Sequence, residues 1–244
     1  MHSYIKIPFD DHVTAAYTQS LAGDLDSRNK KFYFDIADDL QLDVERFFIT
    51  NQILQADVCV VDPDMAGDGI IRDIAVNADA AVTDVPGITL SMIMSDCPPV
   101  YLYDPIRQVI GLVHSGRQGT ALNIVAETIR VMRKAFGCDP SHIKAVIGPH
   151  ICEKCYEVGE DVAHDFALHF PEAVRPSVVS REYGKLTINL DAAISYQLHV
   201  AGIEADKLTH IKECTYENPL LLSYRRGDGT RSDLAVMVLH NEIS

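Results

Sequence analysis

The stretch "DCPPVYLYDPIRQVIGLVHSGRQGT", Asp96 to Thr120, holds two short apolar runs, "PVYLYD" (99–104) and "QVIGLVH" (108–114). Their length and their aromatic and β-branched content, with "DPIRQ" between them, predict two neighbouring strands joined by a turn. The pair Pro98-Pro99 cannot sit inside a hydrogen-bonded ladder, so Cys97 is expected at a strand end where the chain changes direction. His114 closes the second run. Strand ends that open into loops are where a rigid scaffold presents side chains to a ligand. Neighbouring strands would therefore point a thiol and an imidazole into one pocket. The competing reading is two unrelated groups, because a lone cysteine is most often a small buried hydrophobe. Spacing alone leaves both open.

The next residues have their own logic. Gly116 and Gly119 let the backbone come close to a ligand, and a helix beginning here offers unpaired N–H groups. Arg117 adds a fixed charge. Together they predict a local anion site suited to phosphate or a carboxylate.

Working outward, further strands are expected at "DVCVVD" (57–62), "TLSMIMS" (89–95), "IKAVIG" (143–148) and "LAVMVLH" (234–240). One helix is expected from about Gly119 to Phe136, with Leu122, Val125, Ile129, Met132 and Phe136 forming an apolar stripe. Glu127, Arg130 and Lys134 take its other side, and "CDP" (138–140) stops it. Helices are also expected at 28–40, 158–169 and 190–201, the last closed by Gly202. Strands and helices do not alternate regularly, so the class is α+β, with helices packed over substantial sheet, in a single domain spanning 1–244.

Composition narrows the function. The chain has 244 residues, 21 Lys plus Arg against 35 Asp plus Glu, and a formal net charge of −14. Such a surface lacks the cations that neutralise phosphate backbones, so nucleic acid and anionic membranes are excluded as general partners. No apolar run is long enough to span a bilayer, and no signal peptide is visible. The six cysteines then read as reduced thiols of a cytoplasmic protein.

Longer blocks carry a resemblance. "NADAAVTDVPGITLSMIMSDCPPVYLYDP" (77–105), "VIGLVHSGRQGT" (109–120), "AVIGPHICEKCYEVGEDV" (145–162) and "CTYENPLLLSYRRGDGTR" (214–231) resemble the YfiH/laccase-domain family. That family carries an older multicopper polyphenol oxidase label and is now described as purine nucleoside phosphorylases with related activities. The resemblance implies a β-sandwich core of mixed sheets flanked by helices, in α-β-β-α layers. It implies a nucleoside and phosphate as substrates, and a zinc ion held by Cys97, His114 and an upstream histidine. Two imidazoles and a thiolate leave a fourth zinc position open for water or substrate.

The sequence departs from the pattern where that upstream histidine belongs. In "TNQILQADVCVVD" (50–62), Gln52 matches but Leu54 stands in the histidine position, and leucine cannot bind a metal. His150, in "GPHICEKC", is a substitute ligand to examine. The usual N-terminal loop is not visible either, although "SRNKKF" around Asn29 matches an Asn-containing helix start. Arg117 is expected to hold phosphate, with Arg225 or Arg226 of "SYRR" contributing. Three readings follow. The first is a zinc enzyme that phosphorolyses or deaminates purine nucleosides. The second is a metal-free hydrolase or amidase with Cys97 as nucleophile and His114 as base, including action on a peptidoglycan precursor. The third is a relative that binds without turnover.

Other motifs are discounted. "CEKC" (152–155) has the spacing of half a zinc ribbon, but the remaining cysteines 59, 138 and 214 read as isolated. "DPDMAGDG" (62–69) lacks the acid spacing of a calcium loop. His142, His164, His169, His199 and His210 show no ligand-like pairing and read as surface residues. "SYRRGDGT" (223–230) reads as a hairpin-like turn. Nothing supplies the many histidines of a multicopper site.

Overall fold

The structure, a computed structural model, describes residues 3–19, 30–73, 76–182, 184–228 and 231–241. Asn29 lies outside them. Strands β1 (Ser3–Lys6) and β2 (Val13–Gln19) precede helix α1 (Lys30–Leu40) and two short strands, β3 (Phe47–Ile49) and β4 (Val58–Val60). Then come β5 (Ala80–Thr83), β6 (Thr89–Met94), β7 (Pro99–Asp104) and β8 (Val109–His114). Helices α2 (Arg117–Ala121) and α3 (Ile124–Phe136) lead to β9 (Lys144–Ile147), β10 (Glu157–Val158), α4 (Glu160–Leu168) and α5 (Arg175–Val178). The chain closes with β11 (Val179–Glu182), β12 (Lys185–Ile188), α6 (Leu190–Val200), β13 (Leu208–His210) and β14 (Asp233–Leu239).

These strands form a five-stranded sheet ordered β1-β2-β14-β6-β3, a six-stranded sheet ordered β13-β9-β7-β8-β5-β4, and a small sheet β10-β12-β11. Strand β7 shows why the two large sheets stack. All six of its residues are buried, and side chains alternate across a strand. Tyr101 and Tyr103 join Tyr17, Leu90, Met92 and Met237 of the five-stranded sheet in the central core. Val100 and Leu102 face the other way, against Val125, Ile129 and Met132 of α3 and Ile194 and Leu198 of α6. Each fully buried aliphatic side chain contributes about 1.5–3 kcal/mol. Phe32, Tyr33 and Ile36 of α1 cover the outer face of the five-stranded sheet against Phe47, Ile49 and Val236. The result is the expected α-β-β-α sandwich of mixed sheets. Among the described residues, no helix is long and apolar enough to cross a membrane.

The helix expected over 119–136 is two helices. Asn123 has φ 62°, in the left-handed region, and breaks the run between α2 and α3. Leu122, placed on the apolar stripe by periodicity, is therefore 45% exposed, while Val125, Ile129 and Met132 are buried as expected. Gly137, at φ 69°, stops α3 by donating its N–H to the carbonyls of Arg133 and Met132.

Register positions the site. Pro99 pairs with His114 across β7 and β8, Val100 pairs with Ile147 of β9, and Ile147 pairs in parallel with His210 of β13. The start of β7 and the ends of β8, β9 and β13 thus share one edge of the six-stranded sheet. Their loops build everything described next.

Candidate functional site

Cys97 is presented by a strained residue. Asp96 has φ 70°, a conformation that costs a non-glycine residue about 1 kcal/mol. Two hydrogen bonds to its carboxylate hold it there: Thr215 Oγ1 donates to Oδ1 at 2.6 Å and the Arg225 backbone N–H donates to Oδ2 at 2.7 Å. The Ile151 N–H adds a 3.0 Å bond to the Asp96 carbonyl. Gly116 is required for close approach. A Cβ there would meet Cys97 Sγ at 2.8 Å and the His114 ring at 3.5 Å. Cys97 and His114, expected to share one site, thus both border the space beside Gly116.

His114 is 6% exposed and ordered from behind. Its Nδ1 donates to Asp79 Oδ1 at 2.9 Å, and Asp79 is fully buried. The second oxygen of Asp79 accepts the N–H groups of Ile53 and Gln55, each at 3.0 Å. Those bonds grip the backbone on either side of Leu54, which itself sits at φ 59°. One buried carboxylate therefore fixes both the imidazole and the turn that carries residue 54. Burial works against a charged imidazole at His114, but Cys97 and Asp79 outweigh it and hold its pKa up to about 9. Burial likewise works against ionising Asp79, yet hydrogen bonds from His114 and the Gln55 and Ile53 amides hold it below the usual carboxylate range.

In front of Cys97 lies a cavity of about 440 Å³. Leu54, Ile151, Tyr156, Leu190 and Tyr224 give it apolar walls, and Asp96, Cys97, Arg117 and Arg225 give it polar ones. Among the described residues, Arg117 is paired with Asp165 at 4.0 Å, itself largely exposed. Arg225 lies over the Tyr156 ring at 5.1 Å and donates to the Glu157 carbonyl at 2.7 Å. Arg226 turns away: Nη1 donates to the carbonyl of Thr215 at 2.8 Å and Nη2 binds the Asp228 carboxylate at 2.5 Å. The two arginines that reach the pocket are thus 117 and 225.

Two parts of the expected anion site change. Helix α2 is a single short turn, so its N-terminus carries little of the dipole that a long helix would aim at a ligand. Gly119 is buried in packing, where a Cβ would meet Ile124 at 3.3 Å and the Gln55 carbonyl at 3.4 Å. It serves the contact between α2 and the residue 54 turn.

Residues 18–240 match the family model described as multi-copper polyphenol oxidoreductase laccase. The chain belongs to that family. A purine nucleoside phosphorylase of Streptomyces coelicolor is 34% identical over 82% of this chain and 77% of its own length. One from Corynebacterium glutamicum is 33% identical over 85% and 80%. Among solved structures, YlmD from Geobacillus stearothermophilus superposes with a TM-score of 0.88, 25% identity, and 95% and 93% of the two chains covered. The hypothetical protein YfiH of Bacillus licheniformis gives 0.85, 27%, and 93% and 92%. The laccase-family fold is thereby shown.

The zinc ion implied by resemblance to this laccase family does not fit here. Leu54 lines the Cys97 cavity with a side chain that has no ligand atom. Among the described residues, no third His, Cys, Asp or Glu brings a ligand atom within 4.8 Å of both Cys97 and His114. His150, the substitute examined above, does not join them. It donates Nδ1–H to the Gly148 carbonyl at 2.8 Å and lines a different cavity, with Cys152 and Cys214. Two protein ligands remain where a catalytic zinc site uses three.

Cys214 is not isolated. The ligand atoms of Cys152, Cys155 and Cys214 lie within 4.8 Å of one another, the one such group among the described residues and an arrangement within reach of a single metal ion. Burial and the neighbouring sulfurs push the thiols of Cys152 and Cys155 up. His210, read as a surface residue, is half-buried and pairs with Asp191 at 2.8 Å. All six cysteines are free.

Sequence reasoning missed Asp79, Asp96 and Tyr156. Asp79 carried a signal: an acid opening the apolar run "AAVT" must find partners if it is buried. Asp96 and Tyr156 carried none, because their positions depend on loops that meet only in the fold.

Proposed function

We propose that this chain is a purine nucleoside-processing enzyme that phosphorolyses the N-glycosidic bond without a zinc ion at Cys97. The observation that carries the reading is the pairing of Arg117 and Arg225 beside Cys97 in a chain of net charge −14. Guanidinium groups are the natural partners of phosphate oxygens. The purine nucleoside phosphorylase name of relatives at 33–34% identity supports the same substrates. Tyr156 and Tyr224 offer flat faces to a purine. Phosphate held by the arginines attacks C1′ as the C1′–N9 bond breaks. The departing base takes up one proton and the phosphate gives one up, so the Cys97–His114 pair ends unchanged. A cationic His114, anchored by Asp79, is poised to move that proton through Cys97. In adenosine deamination water adds at C6 of the purine instead, the C6–N6 bond breaks, and the same donor protonates the departing ammonia.

The test is release of hypoxanthine or adenine from inosine or adenosine with and without phosphate. Phosphate-dependent release that disappears in Cys97→Ala is the expected result. Absence of release from any purine nucleoside by the folded chain would overturn the reading.

A second reading has one specific observation behind it. Cys97, His114 and Asp79 stand in the order nucleophile, base and orienting acid. As a thiol hydrolase or amidase, the chain would acylate at Cys97 and need no phosphate. Iodoacetamide labelling Cys97 faster than the other five cysteines, with phosphate-independent cleavage, is its signature.

A further inference from the structure

Behind the Cys97 pocket lies a second cavity of about 510 Å³, lined by His150, Cys152, Glu153, Asp191, Cys214 and Glu217 among others. Two loops face each other across it, 148–155 leaving β9 and 211–218 leaving β13. They run side by side because β9 and β13 are parallel, and His150 bridges to Cys214 just beyond the sheet. The sulfurs of Cys152, Cys155 and Cys214 are half-buried and within 4.8 Å of one another. Three thiolates at about 2.3 Å from a tetrahedral zinc ion stand about 3.8 Å apart. Closing the group onto a cation is within reach of side-chain rotation. Backbone contacts already fix both sides, with the Cys152 N–H 3.3 Å from Cys214 Sγ. Glu217 Oε1 sits 3.6 Å from Cys155 Sγ but outside the group of three sulfurs, so it would complete the set by turning toward them.

We propose that Cys152, Cys155 and Cys214 hold one structural zinc ion, with Glu217 closing its coordination shell. Binding releases the three thiol protons to solvent and changes no oxidation state. A set rich in thiolate selects zinc over harder divalent cations. A disulfide would use only two of the three sulfurs. The ion acts as a staple behind the catalytic wall. Cys155 immediately precedes Tyr156, which lines the Cys97 cavity, and Cys214 precedes Thr215, which holds Asp96. The proposal stands independently of the reaction proposed above.

The experiment is elemental analysis and thiol titration of the full chain purified without added metal, under reducing conditions. One zinc per chain is expected, retained in Cys97→Ala and lost in Cys155→Ser and in Cys214→Ser. Cobalt exchanged into the wild-type chain provides a readout that needs no variant to fold: its thiolate-to-metal charge-transfer intensity should correspond to three thiolates. Overturning results are a wild-type chain that takes up no zinc on reconstitution, zinc lost with Cys97→Ala, cobalt bands of one thiolate, or a native disulfide among these cysteines.

Discussion

The two cavities share a wall and differ in what it supplies to each. On one side, Cys97 shares its cavity with Leu54, a side chain without a ligand atom carried on a left-handed turn. On the other, three thiols from loops far apart in sequence converge with a carboxylate beside them. Behind Cys97, His114 is paired with the buried Asp79, and Arg117 and Arg225 line the cavity in front. The second cavity is lined instead by Glu153, Asp191, Glu213 and Glu217, with Lys212 beside them. Ligand number alone does not decide what a cysteine does. Cys97 keeps a histidine partner and faces an open pocket suited to chemistry, whereas the other three face one another.

The sharpest way to break this contrast is to remove Cys97 or His114. Each substitution by alanine should lower kcat by roughly 10²–10⁴-fold, the usual range for a proton-transfer group. Metal content should stay unchanged, because neither residue belongs to the thiol cluster. Loss of metal together with activity would show that the two cavities share one ion.

Leu54→His tests the contrast from the other direction. The turn is already held by Asp79, so a histidine there needs no new backbone conformation. The variant should take up one zinc ion more than the parent chain, and Leu54→His combined with Cys97→Ala should return to the parent content. An unchanged metal content in the single variant would mean that residue 54 does not face Cys97 and His114 as described.

Arg117→Ala carries a smaller effect. Its weak ion pair to Asp165 leaves the guanidinium available to substrate, so its removal should raise the KM for phosphate about tenfold, roughly 1.4 kcal/mol, with kcat little changed. A fall in kcat at constant KM would instead place Arg117 in the chemical step.

Much of this was legible in the chain, and the illegible parts share a cause. Strands β7 and β8 were readable because proline, turn residues and short apolar runs are local signals. So was the meeting of Cys97 and His114, once the strands were neighbours. The break at Asn123 was hidden, since a single left-handed residue leaves the apolar period almost intact. The thiol cluster was hidden more deeply. Cys214 reaches Cys152 through the parallel pairing of β9 with β13, a three-residue strand with almost no pattern to read. Leu54 was the reverse case: a single residue type, read in its motif, raised the question of a third ligand before any geometry was known.

The smallest expected effect concerns protons. The His114 pKa is raised from 6.5 to about 9 in the folded chain. Below pH 6.5 both folded and unfolded chains bind this proton, and the stabilisation from the Cys97 and Asp79 partners is fully present. Between 6.5 and about 9 only the folded chain keeps it, so stability falls as pH rises and this contribution is gone above about 9. Urea midpoints measured from pH 6 to pH 10 should therefore decline more steeply in the wild-type chain than in Asp79→Asn, where the anionic partner is absent. A zinc ion on His114 would occupy the nitrogen that faces Cys97 and forbid the imidazolium. Identical slopes in the two chains would thus point to metal at Cys97, and a steeper wild-type slope marks a pocket that runs on protons alone.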